Sequence, residues 1–256
     1  MIDTHAHLFD EQFAADIDQE IEQCKALGIN KILLPNIDSE SIDPMLSLSD
    51  LYPDYCLPMI GLHPCSVFDD FQSQLKWVED WLSKRKFWAI GEMGTDLYWD
   101  KSFWKQQQDA FKSQCELALS ADLPIVIHCR ETIDQTIEMV KPYASKGLKG
   151  VFHCFTGSVE QGKQIMDLGF YLGIGGVVTF KNGGLDRVLP EIGLEQLVLE
   201  TDSPYLAPTP HRGKRNSPSF LPLICQKIAN ILEISVSEVS EKTDNNAQSL
   251  FKLDEL

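Results

Sequence analysis

Six side chains of the types that bind metal ions follow short apolar runs at widely separated points of the sequence. They are His5, His7, Glu92, His128, His153 and Asp202. His5 and His7 are two residues apart, so in extended backbone both point to the same side and can bind one ion. A single histidine after an apolar run is commonly just a hydrogen-bonded polar residue. Here, however, four of the six histidines in the chain occupy such places, and this repetition favours a metal site.

The number of candidate ligands indicates more than one ion. Six nitrogen and oxygen ligands are too many for one tetrahedral ion, and they suit two divalent ions about 3.5–4 Å apart that share a carboxylate and a bridging water. Because the set holds no thiolate, Mg²⁺, Mn²⁺ and Zn²⁺ are all acceptable. Cys129 and Cys154 directly follow two of the histidines, and we expect them to face the opposite side of their strands as packing residues.

For these ligands to meet, the apolar runs must end at one edge of a common sheet. Eight such runs recur, at residues 1–4, 29–36, 56–62, 87–91, 124–127, 150–152, 170–175 and 196–199. Helical spacing of apolar residues predicts helices at 14–27, 40–51, 74–84, 103–121, 132–145, 158–168, 184–189, 219–232 and 236–244. Alternating strands and helices imply a parallel sheet with right-handed crossovers.

Eight repeats in 256 residues favour an α/β fold with one (β/α)8 TIM barrel, a single domain over residues 1–256. In this fold the carboxyl ends of the strands form one mouth, where we expect the dinuclear metal site. The alternative is an open, doubly wound sheet. It is disfavoured because no glycine-rich phosphate turn follows the first apolar run.

The charge balance limits the class of substrate. The chain has 22 basic and 38 acidic residues, a net charge of −16, which argues against a broad nucleic-acid-binding surface. One cluster after the eighth run holds four residues that can be cationic and no acid: His211, Arg212, Lys214 and Arg215. Loops at this position of a barrel commonly bind phosphate, so a short substrate or a nucleic-acid end fits better than long duplex.

Composition gives an ordinary globular chain. Hydrophobic residues make up 43% and charged residues 23%. No apolar stretch approaches the roughly 20 residues of a membrane span, and the first residues lack the features of a signal peptide. Seven scattered cysteines without a CxxC pair are typical of a reducing compartment. We therefore expect a cytoplasmic protein that needs neither a membrane nor an obligate protein partner.

Seven short motifs follow one another along the chain. They are DTHAHL (3–8), GLHP (61–64), GEMGTD (91–96), PIVIHCR (124–130), HCFTGS (153–158), LETDSPY (199–205) and RGKRN (212–216). In content and order they resemble the TatD family of metal-dependent deoxyribonucleases, one of the amidohydrolase-like metallo-barrels. Thr95 and Cys129 depart mildly from the family pattern, and neither is a predicted ligand.

The resemblance implies a division of the ligands. His5, His7 and Asp202 would hold one ion, His128 and His153 the other, and Glu92 would bridge them. Glu92 and Asp202 would be the catalytic residues, with Asp202 accepting a proton from the attacking water. The implied substrate-binding residues are His63, Asp96, Arg130, His211, Arg212, Lys214 and Arg215.

The implied activity is two-metal hydrolysis of DNA phosphodiester bonds, acting on DNA ends or short oligonucleotides. Two other hydrolases would use the same ligands: an amidohydrolase on a small cyclic amide or ester, and an esterase acting on aminoacyl-tRNA. The basic loop disfavours an uncharged substrate, and the intact ligand set disfavours a non-catalytic metal-binding protein. Tyr98, Trp99 and Trp104 are candidates for base stacking, although we expect Trp99 and Trp104 to pack where the fourth strand meets its helix.

Overall fold

The structure, a computed structural model, describes residues 1–253 as eight strands alternating with helices. The strands are Ile2–Asp3 (β1), Lys31–Leu34 (β2), Cys56–Pro58 (β3), Ile90–Asp96 (β4), Ile125–Arg130 (β5), Gly150–Phe152 (β6), Tyr171–Ile174 (β7) and Leu197–Leu199 (β8). The helices are Ile17–Ala26 (α1), Ile42–Leu51 (α2), Phe71–Leu82 (α3), Trp104–Ala121 (α4), Ile133–Ala144 (α5), Val159–Asp167 (α6), Leu185–Ile192 (α7), Leu221–Leu232 (α8) and Val236–Phe251 (α9). Every predicted strand and helix is present. The end of the predicted domain, residues 254–256, lies outside the described residues.

The strands close into the predicted barrel. They pair in parallel in two runs, β1-β2-β3 and β4-β5-β6-β7-β8. Backbone hydrogen bonds bridge both seams between these runs. At one seam the Gly91 N–H donates to the Ile60 carbonyl at 2.8 Å, and at the other the Thr4 N–H donates to the Leu199 carbonyl at 3.0 Å. All eight carboxyl ends therefore surround one mouth.

Side chains of the strands alternate between two apolar cores. Leu33, Val126 and Val198 pack inside the barrel, whereas their chain neighbours Ile32 and Ile127 pack against the surrounding helices. This alternation follows from the two-residue repeat of extended backbone. Because the inner core consists of apolar side chains, the barrel is a filled scaffold that holds the residues at its mouth in fixed positions.

Helix α9 is longer than the sequence pattern predicts. The prediction ends at residue 244, but the helix continues to Phe251, and Leu250 and Phe251 join the inner core of the barrel. The polar pair at 245–246 does not end the helix, because the Asn246 side chain donates to the Leu197 carbonyl at 2.7 Å. Asn246 thereby ties α9 to the start of β8, at the end of the barrel opposite the mouth.

Strands β4 and β5 also extend further than predicted, and this changes where the candidate ligands lie. Glu92 and His128 are inside their strands, because pairing of the two strands continues through Gly94↔His128 to Asp96↔Arg130. Gly94 permits this close approach: it has a φ of 152°, and a Cβ there would lie 1.9 Å from the His128 carbonyl oxygen.

Among residues 1–253, no individual helix combines the length and hydropathy needed to cross a membrane. The segments Pro218–Leu232 and Val236–Phe251 meet that criterion only when they are counted together, across a bend of 112°.

Candidate metal centre

The six predicted ligands and one further histidine converge at the mouth of the barrel. His5 and His7 follow β1, His63 follows β3, Glu92 lies in β4, His128 lies in β5, His153 follows β6 and Asp202 follows β8. All of them except His5, which is fully buried, line a cleft of about 780 Å³. Residues up to 197 positions apart in the chain thus meet because parallel strands present their carboxyl ends together.

The two carboxylate oxygens of Glu92 face two separate groups of histidines. Its Oε2 atom lies 3.2 Å from His5 Nε2 and 3.5 Å from His7 Nε2. Its Oε1 atom faces the other group, at 2.8 Å from His153 Nε2, 3.0 Å from His128 Nδ1 and 3.4 Å from His63 Nε2. A carboxylate placed in this way can bridge two ions.

Asp202 joins the first group. Its Oδ1 atom lies 3.6 Å from His7 Nε2 and 3.7 Å from His5 Nε2, on the same side as Glu92 Oε2. The Asp202 backbone N–H donates to the His5 carbonyl at 2.9 Å, which fixes the carboxylate beside the two histidines. The geometry therefore agrees with the implied grouping of His5, His7 and Asp202.

The donor atoms fit divalent cations. His5 Nε2 and His7 Nε2 lie 3.3 Å apart, and His128 Nδ1 and His153 Nε2 lie 3.5 Å apart. Imidazole nitrogens that face one another and a carboxylate at such distances are typical of ligands around a cation. Three sets of donor atoms each lie within 4.8 Å of one another: His5, His153 and Asp202; His5, His7 and Glu92; and His63, Glu92 and His128. The centre can thus hold metal, because its imidazole and carboxylate donors lie close enough together to bind the same ion.

Glu92 and His5 have the charge states that favour metal binding, whereas in His128 and His153 carboxylate neighbours overcome the effect of burial and raise the pKa. Burial alone would raise the pKa of Glu92, but the imidazoles of His153, His5 and His63 hold it well below its usual value. Burial and the neighbouring His153 lower the pKa of His5. An ionised carboxylate and a neutral imidazole are the forms that bind a metal.

Asp96 has a different place from the one predicted. As a substrate-binding residue it would be exposed in the cleft, but its side chain is buried behind His128. Its Oδ2 atom lies 2.9 Å from His128 Nε2, and its Oδ1 atom accepts hydrogen bonds from the N–H groups of Tyr98 and Trp99. This position favours a different role from the predicted substrate contact, because Asp96 contacts His128 Nε2 while His128 Nδ1 faces Glu92. A carboxylate behind a ligating histidine commonly orients the ring.

His63 also differs from its predicted role. Its Nδ1 atom accepts a hydrogen bond from the Cys65 N–H at 3.1 Å, which turns Nε2 toward Glu92. The ring therefore stands among the candidate ligands as well as at the cleft, so a ligand role is added to the predicted substrate contact. The signal in the sequence is its place after the third apolar run, which matches the places of His128 and His153.

Glu200 is a buried carboxylate of the centre that the predicted ligand set omits. It accepts a hydrogen bond from the Cys154 N–H at 2.5 Å, and its Oε1 atom lies 3.6 Å from His153 Nδ1. Gly173 makes room for it, because a Cβ there would lie 2.2 Å from Glu200 Oε2. The available signal is an acid two residues before Asp202, which extended backbone places on the same side.

Two of the predicted basic residues stand at the cleft or beside it. Arg130 lines the cleft. Arg212 lines a cavity of about 500 Å³ that shares Thr156 and Val177 with the cleft, and its guanidinium carbon lies 3.6 Å above the Phe180 ring. These two residues can reach a substrate that extends beyond the metal centre.

The other basic residues of the loop do not line either cavity within residues 1–253. His211 stacks on Phe220 with the ring centroids 4.1 Å apart, and Lys214 is exposed. Arg215 makes two hydrogen bonds to the Asp16 carboxylate, at 2.8 and 2.7 Å, and lies 4.4 Å from the Phe13 ring. The structure therefore favours a structural role for Arg215 over the predicted substrate contact, because its guanidinium joins the loop to the start of α1.

Three further residues of the cleft depart from the packing that the sequence predicts. Cys129 and Cys154 are half-buried and line the cleft rather than facing away from it. Trp99 also lines the cleft and is 71% exposed, whereas Trp104 at the start of α4 is half-buried as expected. The extension of β4 and β5 toward the mouth carries Trp99 and Cys129 to the rim.

Comparison with known proteins identifies the family. A family model described as TatD related DNase matches residues 2–252. The chain belongs to the TatD family. Among curated TatD relatives, the uncharacterized metal-dependent hydrolase YabD of Bacillus subtilis is 37% identical over 254 residues, covering 99% of each chain. The 3'-5' ssDNA/RNA exonuclease TatD of Yersinia pseudotuberculosis is 34% identical over 259 residues, covering 99% of this chain and 100% of the relative.

The fold is that of TatD proteins of known structure. The crystal structure of YJJV, a TatD homolog from Escherichia coli, superimposes with a TM-score of 0.92 at 28% identity, covering 98% of both chains. A TatD family hydrolase from Entamoeba histolytica gives a TM-score of 0.86 at 24% identity, over 98% of this chain and 97% of the other. The predicted family and α/β barrel class are thus confirmed, and the chain is a TatD family hydrolase.

Replacing Asp96 with asparagine should weaken metal binding by about 10- to 100-fold, the usual cost of losing the partner of a ligating histidine. Asparagine removes the carboxylate that holds His128 Nε2, so the ring loses its fixed orientation toward Glu92. Metal affinity is measured by competition with a chromophoric chelator. The control is Asp167→Asn, the same change at an exposed position at the end of α6. Equal affinity of the two variants would contradict the orienting role.

Replacing Arg215 with alanine should lower the free energy of unfolding by about 1 kcal/mol at neutral pH. Hydrogen bonding to Arg215 lowers the pKa of Asp16 from 3.8. The pair therefore stabilises the fold above that pH, and its contribution disappears as the pH falls through the lowered value. Urea denaturation at pH 7 and near pH 3 measures both effects. Lys214→Ala, at an exposed position of the same loop, is the control and should change stability by less than about 0.5 kcal/mol.

Proposed function

We propose that this TatD family hydrolase is a nuclease that binds two divalent ions and hydrolyses phosphodiester bonds at the ends of single-stranded nucleic acid. The observation that carries the proposal is the position of Glu92, whose two oxygens face two groups of ligands. Relatives over 30% identical along the whole chain are named 3'-5' ssDNA/RNA exonucleases, which supports single-stranded nucleic acid as the substrate class and digestion from the 3' end. The ions are Mg²⁺, Mn²⁺ or Zn²⁺, because the donors are imidazole and carboxylate alone.

The two ligand groups have separate members. We assign His5, His7 and Asp202 to one ion and His63, His128 and His153 to the other, with Glu92 between them. When bound, the ions supply a hydroxide at neutral pH and neutralise the charge of the phosphate. Glu92 holds the two groups together, and Asp96 and Glu200 stand behind His128 and His153 to keep the rings in place.

Asp202 is the proposed general base. Burial would raise its pKa, but the hydrogen bond with His7 and the charges of the nearby histidines lower it, so the carboxylate is ionised and able to take a proton from water. The water oxygen then forms its bond to phosphorus, the ester P–O bond breaks, and the proton passes from Asp202 to the leaving oxygen. Asp202 also reaches the cleft, where its side chain is 13% exposed to the entering water.

An activity panel tests this function. The protein, supplied in turn with Mg²⁺, Mn²⁺ and Zn²⁺, is given a 5'-labelled single-stranded DNA, the same sequence as RNA, blunt duplex DNA, a D-aminoacyl ester and dihydroorotate. We expect a ladder of products shortened from the 3' end of the single strands, and two bound ions per chain by elemental analysis. Turnover of only the ester or the cyclic amide would refute the nuclease assignment. A cytoplasmic location and independence of a protein partner remain predictions from the sequence.

Arg212 is the proposed phosphate ligand beyond the metal centre. Replacing it with alanine should reduce the slope of log Kd against log salt concentration by about 0.7 for single-stranded DNA, the value for one lost phosphate contact. Fluorescence anisotropy of a labelled oligonucleotide at several salt concentrations measures the slope. Arg215→Ala removes the same charge from the same loop but should leave the slope unchanged, because Arg215 is paired with Asp16. Equal slopes of log Kd against log salt concentration for the two variants would show that Arg212 does not bind a phosphate.

A further inference from the structure

Tyr98, Trp99 and Arg130 form an exposed ledge at the rim of the cleft. Trp99 is 71% exposed, more than any other large apolar side chain among residues 1–253, and Tyr98 is 48% exposed. The Arg130 guanidinium carbon lies 3.5 Å from the centroid of the Tyr98 ring and 5.5 Å from that of Trp99. Two neighbouring exposed aromatic rings, with centroids 4.9 Å apart, form the kind of contiguous apolar patch that marks a binding surface.

The ledge is continuous with the metal centre. Trp99 and Arg130 line the same cleft as Glu92 and His128. A molecule that places a phosphate at the ligand groups can therefore extend within the same cleft to the Trp99 ring. Arg130 pairs with no acid within the described residues, so its charge is available to an anion at the same place.

The ledge is also held in a fixed position. Asp96 Oδ1 accepts hydrogen bonds from the Tyr98 N–H at 2.8 Å and the Trp99 N–H at 3.2 Å, while its Oδ2 faces His128. The Leu97 N–H donates to the Arg130 carbonyl at 3.1 Å, which joins the ends of β4 and β5 beneath the rings. One carboxylate thus fixes the aromatic backbone and a candidate metal ligand relative to each other. Such preorganisation lowers the entropic cost of binding.

We infer that the Trp99 ring stacks on the unpaired nucleobase next to the scissile phosphate, with Arg130 binding the adjacent backbone phosphate. This inference rests on the proposed nuclease function and names the residues that select its substrate. Stacking on an aromatic ring needs an exposed base face, which paired bases inside a duplex do not offer. It is also tolerant of sequence, because every base has such a face. The ledge therefore makes an unpaired end, rather than a particular sequence, the feature that is recognised.

Abasic substitution tests the stacking directly. Labelled hexathymidylate is compared with versions that carry a tetrahydrofuran abasic residue at one of the three 3'-terminal positions. In the wild-type protein, the abasic residue at one of these positions should lower kcat/KM by about 5- to 150-fold, the range expected for the loss of one stacked base. Trp99→Ala should lose that factor on the intact oligonucleotide and show no further loss on the abasic one. Trp99→Phe keeps an aromatic face and should retain most of the wild-type sensitivity.

The control variant is Leu51→Ala. Leu51 is an apolar residue that is 62% exposed at the end of α2, away from the cleft, so its removal should change neither substrate's kcat/KM. Metal content and thermal midpoint are recorded for every variant, so that a loss of fold is distinguished from a loss of stacking.

Binding measured in chelator separates this inference from the proposed function. We expect the Kd of Trp99→Ala for hexathymidylate to rise by the same about 5- to 150-fold. If the wild-type protein binds the oligonucleotide but hydrolyses none, the nuclease proposal fails and the Kd values alone decide the stacking. If abasic residues have equal effects on the wild-type protein and on Trp99→Ala, the stacking inference is overturned while the nuclease function stands. Absence of both binding and hydrolysis overturns both.

Discussion

Replacing Glu92 with glutamine should lower kcat/KM for single-stranded DNA by more than about 100-fold, since loss of a mere outer partner of a metal ligand already costs about 10- to 100-fold. Glutamine has the same shape but no charge, and it turns one acceptor oxygen into an N–H donor. Whichever way the amide points, it sets a donor against one group of imidazole nitrogens, His5 and His7 on one side or His63, His128 and His153 on the other. Both groups also lose the negative charge that they share.

Metal content and kinetics check this result together. The bound ions per chain are counted by elemental analysis after dialysis at limiting metal, and kcat/KM is measured on a labelled oligonucleotide. Glu116→Gln is the matched control, because Glu116 is exposed on α4 and contacts no ligand group. A Glu92→Gln protein with full metal content and activity within threefold of wild type would contradict the bridging role of Glu92.

Asp202→Asn should lower kcat by about 10²- to 10⁴-fold, the usual contribution of a general base. The substitution is compatible with the fold, because Asp202 has a φ of 57°, a left-handed conformation that asparagine adopts more readily than most residues. The group of His5 and His7 loses the Asp202 carboxylate, whereas His63, His128 and His153 still face the carboxylate of Glu92. We therefore expect the second group to retain its ion.

The readout for Asp202 is the division between chemistry and binding. The Kd for single-stranded DNA should change much less than kcat, because the residue acts on water rather than on the nucleic acid. Asp167→Asn is the control for the loss of one negative charge. An Asp202→Asn variant that retains wild-type kcat would assign the proton transfer to another group.

The elements that carry the ligands could be predicted from local pattern. Eight short apolar runs are visible in the sequence, six of them directly followed by a histidine or an acid, and eight such runs in 256 residues are compatible with few architectures. His5, Glu92 and Asp202 lie together as expected because strand order alone determines which ends meet. The family resemblance supplied the division of ligands between two ions, which residue spacing alone left open.

The roles of charged residues that lie near the candidate ligands but outside the ligand set could not be predicted in the same way. Asp96 and Arg215 are both charged residues in motifs near the mouth, yet one is buried behind His128 and the other is paired with Asp16. What distinguishes them is a partner far away in the sequence, and no local pattern contains it. The length of α9 was missed for the same reason, because Asn246 finds its acceptor on the Leu197 carbonyl only after the barrel has closed.

The distribution of the ligands along the chain has a consequence for biosynthesis. Glu92 faces histidines from strands that come before and after it in the chain, and the first group is complete only when Asp202 stands beside His5 and His7. During translation the N-terminal pair emerges early, but its carboxylate partner Asp202 leaves the ribosome only after all eight strands have been made. A growing chain therefore lacks the complete first group, and the ion proposed for that group would be bound only by nearly finished protein. Limiting metal should leave folded, unloaded molecules rather than stalled nascent chains, and pulse-labelled cells analysed by native electrophoresis would show them.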